Sequence, residues 1–180
     1  MKRIGNWKET YERLSKADKE KHLETGDLEN LGLAAYMIGL DEESYRFLEQ
    51  AHASHLERKN IKQAARCAFW LGLIHMNLGE MARSSGWMSK GERLITENGT
   101  EGSEGGLFLI PTALGALHRG EVDKALETFE IAVSIGEEFA DADLIVLARL
   151  GQGQTLIQLG EVARGVKLLD EAMVSIETDE

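Results

Sequence analysis

The stretch Leu117-His-Arg-Gly-Glu-Val-Asp-Lys-Ala-Leu-Glu-Thr-Phe-Glu-Ile-Ala132 reads as the end of one helix, a tight Gly-Glu turn and the start of a second helix. Glycine suits the turn because helices commonly end on a left-handed residue, a conformation that costs other residues energy. Beyond the turn, Ala125, Phe129 and Ala132 fall at i, i+4 and i+7, on one helical face. The same arrangement recurs around Gly39, Gly79, Gly120 and Gly160, at spacings of 40, 41 and 40 residues. A fixed period of this length is the sequence mark of a repeat architecture.

Working outward, an apolar helix is expected before each turn, over 28–38, 65–78, 107–118 and 144–159. Another follows, over 42–58, 82–97, 122–138 and 162–177. Glu follows three of the four glycines, which favours the positive N-terminal end of the next helix. Small residues recur before the turns, in Leu31-Gly32, Leu71-Gly72, Thr112-Ala113 and Gln152-Gly153, where they let paired helices approach closely. Small and large residues alternate after them, as Ser44/Leu48/Ala51, Ser84/Met88/Gly91, Ala125/Phe129/Ala132 and Gly165/Leu169/Ala172. The N-terminus adds half a unit, Thr10/Leu14/Ala17, behind a fifth possible turn at Gly5.

These residues, in register four times, resemble the tetratricopeptide repeat (TPR). The resemblance implies an all-α fold, a right-handed superhelical solenoid of antiparallel helix pairs with about four and a half units of ~40 residues. One repeat domain is expected over 1–180, with a half unit at 1–23 and repeats at 24–63, 64–98, 106–139 and 143–178. The units exceed the usual length of about 34 residues, and the proline that usually closes a unit is absent. Residues 98–106, Asn-Gly-Thr-Glu-Gly-Ser-Glu-Gly-Gly, read as the long flexible connection. Pro111 is expected in the first turn of the helix that follows, where a missing N–H costs little.

Three further stretches, Gly26-Asp-Leu-Glu-Asn-Leu-Gly-Leu-Ala-Ala-Tyr36, Ala64-Ala-Arg-Cys-Ala-Phe-Trp-Leu-Gly72 and Leu168-Leu-Asp-Glu-Ala-Met173, resemble the helical-repeat region of bacterial LuxR-type transcriptional regulators. In that family the repeats accompany a nucleotide-binding module and a helix-turn-helix. This sequence holds no Gly-rich loop followed by Lys-Ser/Thr, and no helix-turn-helix is read after the last repeat, so neither ATP hydrolysis nor DNA binding is expected to carry over.

Composition narrows the function classes. A single cysteine, Cys67, excludes an internal disulfide framework and fits a reducing cytoplasm. No run approaches the ~20 apolar residues of a membrane span, and no export signal is read. The net charge of −11 resides entirely in residues 99–180, which hold 5 basic and 16 acidic side chains. Residues 1–98 carry 15 of each. That acidity would repel phosphates, so no direct nucleic-acid partner is expected.

No constellation supports catalysis. His52 and His55 lie three apart on one helix, a spacing open to two metal ligands. The acidic residue that follows, Glu57, faces elsewhere, so these read as surface or half-buried histidines and no metal or cofactor is expected. Cys67, flanked by Ala64, Ala65 and Ala68, reads as an inert packed thiol with no histidine near it in sequence. The paired carboxylates Glu42-Glu43 and Glu137-Glu138 diverge on their helices and read as solvated charge.

The remaining site is the groove that the TPR resemblance implies along the first helix of each repeat. By register its candidate contacts are Tyr36 and Met37, then Arg66, Phe69, Leu73, Met76 and Asn77. The third repeat supplies Leu114, Leu117 and His118, and the fourth Gln154 and Gln158. Glu29, Leu33, Ile110, Leu150 and Ile157 are further inward positions. Such a lining suits a peptide or amphipathic helix. The expected role is a non-catalytic protein–protein interaction module, the regulatory or sensor region of a bacterial signalling protein. The alternative is a small-ligand or signal-peptide receptor. Solenoid ends need a cap or a neighbour, so at least one end is expected to contact another chain, a homodimer being one form of this, or else the natural protein is expected to continue beyond this sequence.

Overall fold

The structure, a computed structural model, describes residues 6–21, 23–99 and 102–178, with side chains as far as Val174. The expected turn at Gly5 falls outside the described residues. Every regular element among the described residues is a helix. They are α1 (Trp7–Glu20), α2 (Thr25–Met37), α3 (Asp41–Glu57), α4 (Ile61–Asn77), α5 (Met81–Asn98), α6 (Glu104–Leu107), α7 (Leu109–His118), α8 (Val122–Glu138), α9 (Ala142–Gln158) and α10 (Val162–Thr178). They form two compact units, an N-terminal one from α1 to α5 and a C-terminal one from α6 to α10. Successive helices pack on one another from α1 to α5 and from α7 to α10, with the short α6 set against α7 and α8.

All four Gly turns form as the periodicity requires. Gly39, Gly79, Gly120 and Gly160 take φ values of 79°, 76°, 76° and 86°. At each, the glycine N–H donates three residues back and the next N–H donates five residues back. Gly120 N–H thus reaches Leu117 C=O at 3.0 Å and Glu121 N–H reaches Ala116 C=O at 3.0 Å, a Schellman closure that satisfies carbonyls otherwise orphaned at a helix end. The sequence did not announce that the second helices of two repeats close the same way without glycine. Lys59 and Ala140 adopt φ 57° and 53°, and the following Asn60 and Asp141 N–H groups donate to His55 and Gly136 at 2.8 Å. Because Lys59 ends α3, the next helix starts at Ile61 rather than at the expected 64–65.

The small residues work as inferred. A Cβ on Gly32 would stand 2.7 Å from Leu48 Cγ, on Gly72 2.8 Å from Met88 Cε, and on Gly153 2.8 Å from Leu169 Cγ. Each glycine admits the large residue of its own hairpin. Between repeats the fit is tighter still: a Cβ on Gly151 would meet the Phe129 ring at 2.2 Å.

One expectation needs correction. Part of the segment read as a flexible connection is folded. Ser103, Glu104 and Gly106 are buried, α6 is a single helical turn, and the Ser103 hydroxyl donates to Asp141 Oδ2 at 2.5 Å. Gly106 serves close packing, since a Cβ there would lie 2.5 Å from Leu144 Cδ2. Pro111 does fall in the first turn of α7, as expected. The N-terminal half unit is also less bare than one helix suggests. Leu14 of α1 is buried with Leu31 and Phe47, Tyr11 packs against them, and the Tyr11 hydroxyl donates to Glu43 Oε2 at 2.6 Å.

Candidate functional site

In the N-terminal unit the C-terminal ends of α2 and α4 lie side by side. Asn77 Nδ2 donates to Tyr36 Oη at 2.9 Å, one repeat apart in sequence. Leu33 and Tyr36 are half-buried over a core of Leu48, Leu71 and Ile74. Around the Tyr36–Asn77 link the turns carry large apolar side chains in water: Met37 is 55% exposed, Leu40 36%, Leu78 43% and Met81 61%. Met76 and Leu73 are half-buried beside them. The C-terminal unit repeats the pattern at its last turn, where Leu159 is 38% and Val162 52% exposed. An exposed apolar strip with a fixed polar tip is the character of a contact surface.

Several candidate contacts are not available to a partner. Phe69 is fully buried, with its ring edge-on to Trp70 at 5.4 Å. Leu117 is only 8% exposed and Ile110 3%. These positions face the helix pair and fill the core. Arg66 is half-buried close to Cys67, whose thiolate its charge favours. In the C-terminal unit His118, Gln154 and Gln158 are exposed and Leu114 half-buried, but His118 Nδ1–H donates to Leu114 C=O at 2.9 Å, within its own helix.

A second hollow of the N-terminal unit, about 450 Å³, lies between α3 and α5. Tyr45, His75, Trp87 and Lys90 line it, with the Lys90 ammonium 4.5 Å over the Trp87 ring. His75 is held there by donating to Glu80 Oε2 at 2.7 Å and by stacking on Tyr45.

Burial overturns the reading of His52 and His55 as surface or half-buried groups. His52 is 2% exposed and His55 6%. His52 Nδ1–H donates to Ala64 C=O at 2.8 Å, and burial holds its pKa below the ordinary value. The two do not share a ligand. His55 turns instead to Glu29 of α2, its Nε2–H donating to Oε1. Cys67 of α4 joins them, so that a donor atom from each residue lies within 4.8 Å of the others. Burial, then the adjacent Glu29 carboxylate, pushes the Cys67 thiol up. Sequence spacing missed this trio because its members come from three helices. Glu29 and Cys67 stand 38 apart in consecutive first helices, two residues off the 40-residue period.

No protein-family model matches the chain, and no curated protein sequence matches it. Solved structures do. A Rap conjugation gene regulator of plasmid pLS20, in complex with the Phr* peptide, superposes with a TM-score of 0.71 at 14% identity over 94% of this chain. TPR-like repeats of a putative kinesin light chain from Podosopora anserina give a TM-score of 0.54 at 17% identity, covering 98% of this chain and 89% of theirs. The apo form of RapI gives 0.51 at 15% identity. The fold is a TPR-like solenoid. The chain spans about half the length of the Rap proteins, 48% in both cases. No helix among the described residues is long and apolar enough to cross a membrane.

Proposed function

We propose that the chain is a non-catalytic protein- or peptide-binding module, the regulatory part of a bacterial signalling protein. The exposed strip of Met37, Leu40, Leu78 and Met81 around the Tyr36–Asn77 bond carries this reading. Methionine suits such a surface because its flexible, polarizable side chain adapts to varied partners. Support for a regulatory role comes from the likeness to a Rap regulator solved with a peptide and from the LuxR-like stretches. The test is photo-crosslinking in native lysate, with the probe at position 37 or 81, against a control at exposed Glu130 of α8. Adducts from 37 and 81, lost in M37E/M81E with helicity intact, are expected. Equal labelling from position 130 would overturn the assignment.

A second reading, a small-ligand receptor, is favoured by the aromatic and cationic hollow of Tyr45, Trp87 and Lys90. A metabolite that raises the melting temperature of wild type but not of Trp87→Ala would support it. At the other end, α10 exposes Val162, Val166 and Met173 on one face. This is where contact with a second chain is proposed, and light scattering of V166E against wild type tests it.

A further inference from the structure

We infer that Glu29, His55 and Cys67 form a binding site for one divalent transition-metal ion of the zinc class, fastening the first hairpin of the N-terminal unit to the first helix of the next repeat. The inference is independent of the apolar strip. Three donors of different type converge: a carboxylate oxygen from α2, an imidazole nitrogen from α3 and a thiol sulfur from α4, all within 4.8 Å. In a tetrahedral zinc shell such donors stand about 3–4 Å apart, so rotamer adjustment of about an ångström closes them on an ion.

The chemistry selects the ion. A sulfur donor disfavours magnesium and calcium, which take oxygen, and suits zinc or its analogues together with imidazole. The charge balances as well. Cys67 gives up its thiol proton, His55 ligates neutral and Glu29 ligates as carboxylate, so two negative ligands cancel a divalent cation in a place where uncompensated charge is costly. The thiol's elevated pKa is no barrier, because a coordinating thiol is deprotonated by the metal. Arg66 also favours the thiolate.

The site is built rather than accidental. The side chain of His55 is 8% exposed and Cys67 2%, so two of the three donors are withdrawn from bulk water and held in place by the packing of α3 on α4. Glu29 is a quarter exposed and gives the ion its way in, with the fourth coordination position left to water.

The experiment uses the full chain, stripped with chelator and titrated with Co²⁺ and then Zn²⁺. One equivalent of cobalt should produce the thiolate-to-metal charge-transfer band in the near ultraviolet, and zinc should bleach it. Zinc should also raise the melting temperature. Cys67→Ser should abolish the band, and both it and Glu29→Gln should weaken zinc binding by more than about tenfold. His118→Ala, in the other unit, should change nothing. Cobalt binding to wild type without the charge-transfer band, or an equal zinc response in Cys67→Ser, would overturn the site. The wild-type spectrum decides even if a variant fails to fold.

Discussion

The two units are built on one plan and filled differently. Both stack hairpins closed by left-handed glycines, and both seat a large side chain over a glycine of the facing helix. The N-terminal unit then buries Ser44, His52, His55, His75 and Ser84, and its half of the sequence is electrically balanced. The C-terminal unit packs Phe129, Leu144 and Leu156, with Ser103, Glu104 and Thr155 as its buried polar residues among those described, while its half carries the whole −11. Stacking constrains the small and large positions alone. The interior positions between them are free to acquire polar chemistry, and in this chain the N-terminal unit has acquired it.

The largest expected effect breaks the apolar unit. Phe129→Ala should cost about 3–5 kcal/mol, because the ring fills the space that Gly151 leaves. Trp7, Trp70 and Trp87 all lie in the N-terminal unit, so their fluorescence reports that unit alone. The midpoint by circular dichroism should fall further than the midpoint by fluorescence; equal shifts would mean the units unfold as one.

Acid should distinguish the units next. His52 has its folded pKa below the ordinary 6.5, through burial, so the unfolded chain takes up the proton first. This contribution is full above about 6.5 and is lost as the pH falls. Urea titrations by fluorescence should show the N-terminal unit weakening from pH 7 to 5, and His52→Asn should flatten that slope. An unchanged slope would place the acid sensitivity elsewhere.

Tyr11→Phe should cost about 1 kcal/mol, by removing the bond to Glu43. That bond, followed by burial, pushes the phenol up to about 12, so its stabilisation holds below pH 10 and is lost between 10 and 12. The variant should lack this alkaline loss in thermal melts. The smallest effect is a gain: Ala140→Gly should stabilise by about 0.5–1 kcal/mol by relieving a left-handed alanine, while alanine at Gly120 should do the reverse.

Local rules made much of this legible. Gly39, Gly79, Gly120 and Gly160 mark their turns because the backbone there demands glycine, and Gly32, Gly72 and Gly153 are small because a large residue sits on each. The turns at Lys59 and Ala140 were silent, since side chains tolerate the same backbone there at a modest cost. Residues 102–106 misled because glycine serves close packing as well as flexibility. The candidate contacts divide by exposure. Register placed Tyr36, Met37 and Asn77 on an open face but could not tell that Phe69 and Leu117 turn into the core. The Glu29–His55–Cys67 trio exists only once three helices are stacked.

The left-handed residues that end the second helices bear on how such a chain changes length. Lys59, Gly99 and Ala140 share φ values of 57°, 56° and 53°, at intervals of 40 and 41 residues. A block cut or copied between any two of them would rejoin backbone of the same local conformation. Recombination at these points could add or delete whole hairpins without inventing a new connection, and the stock of binding surface could then change in steps of one repeat.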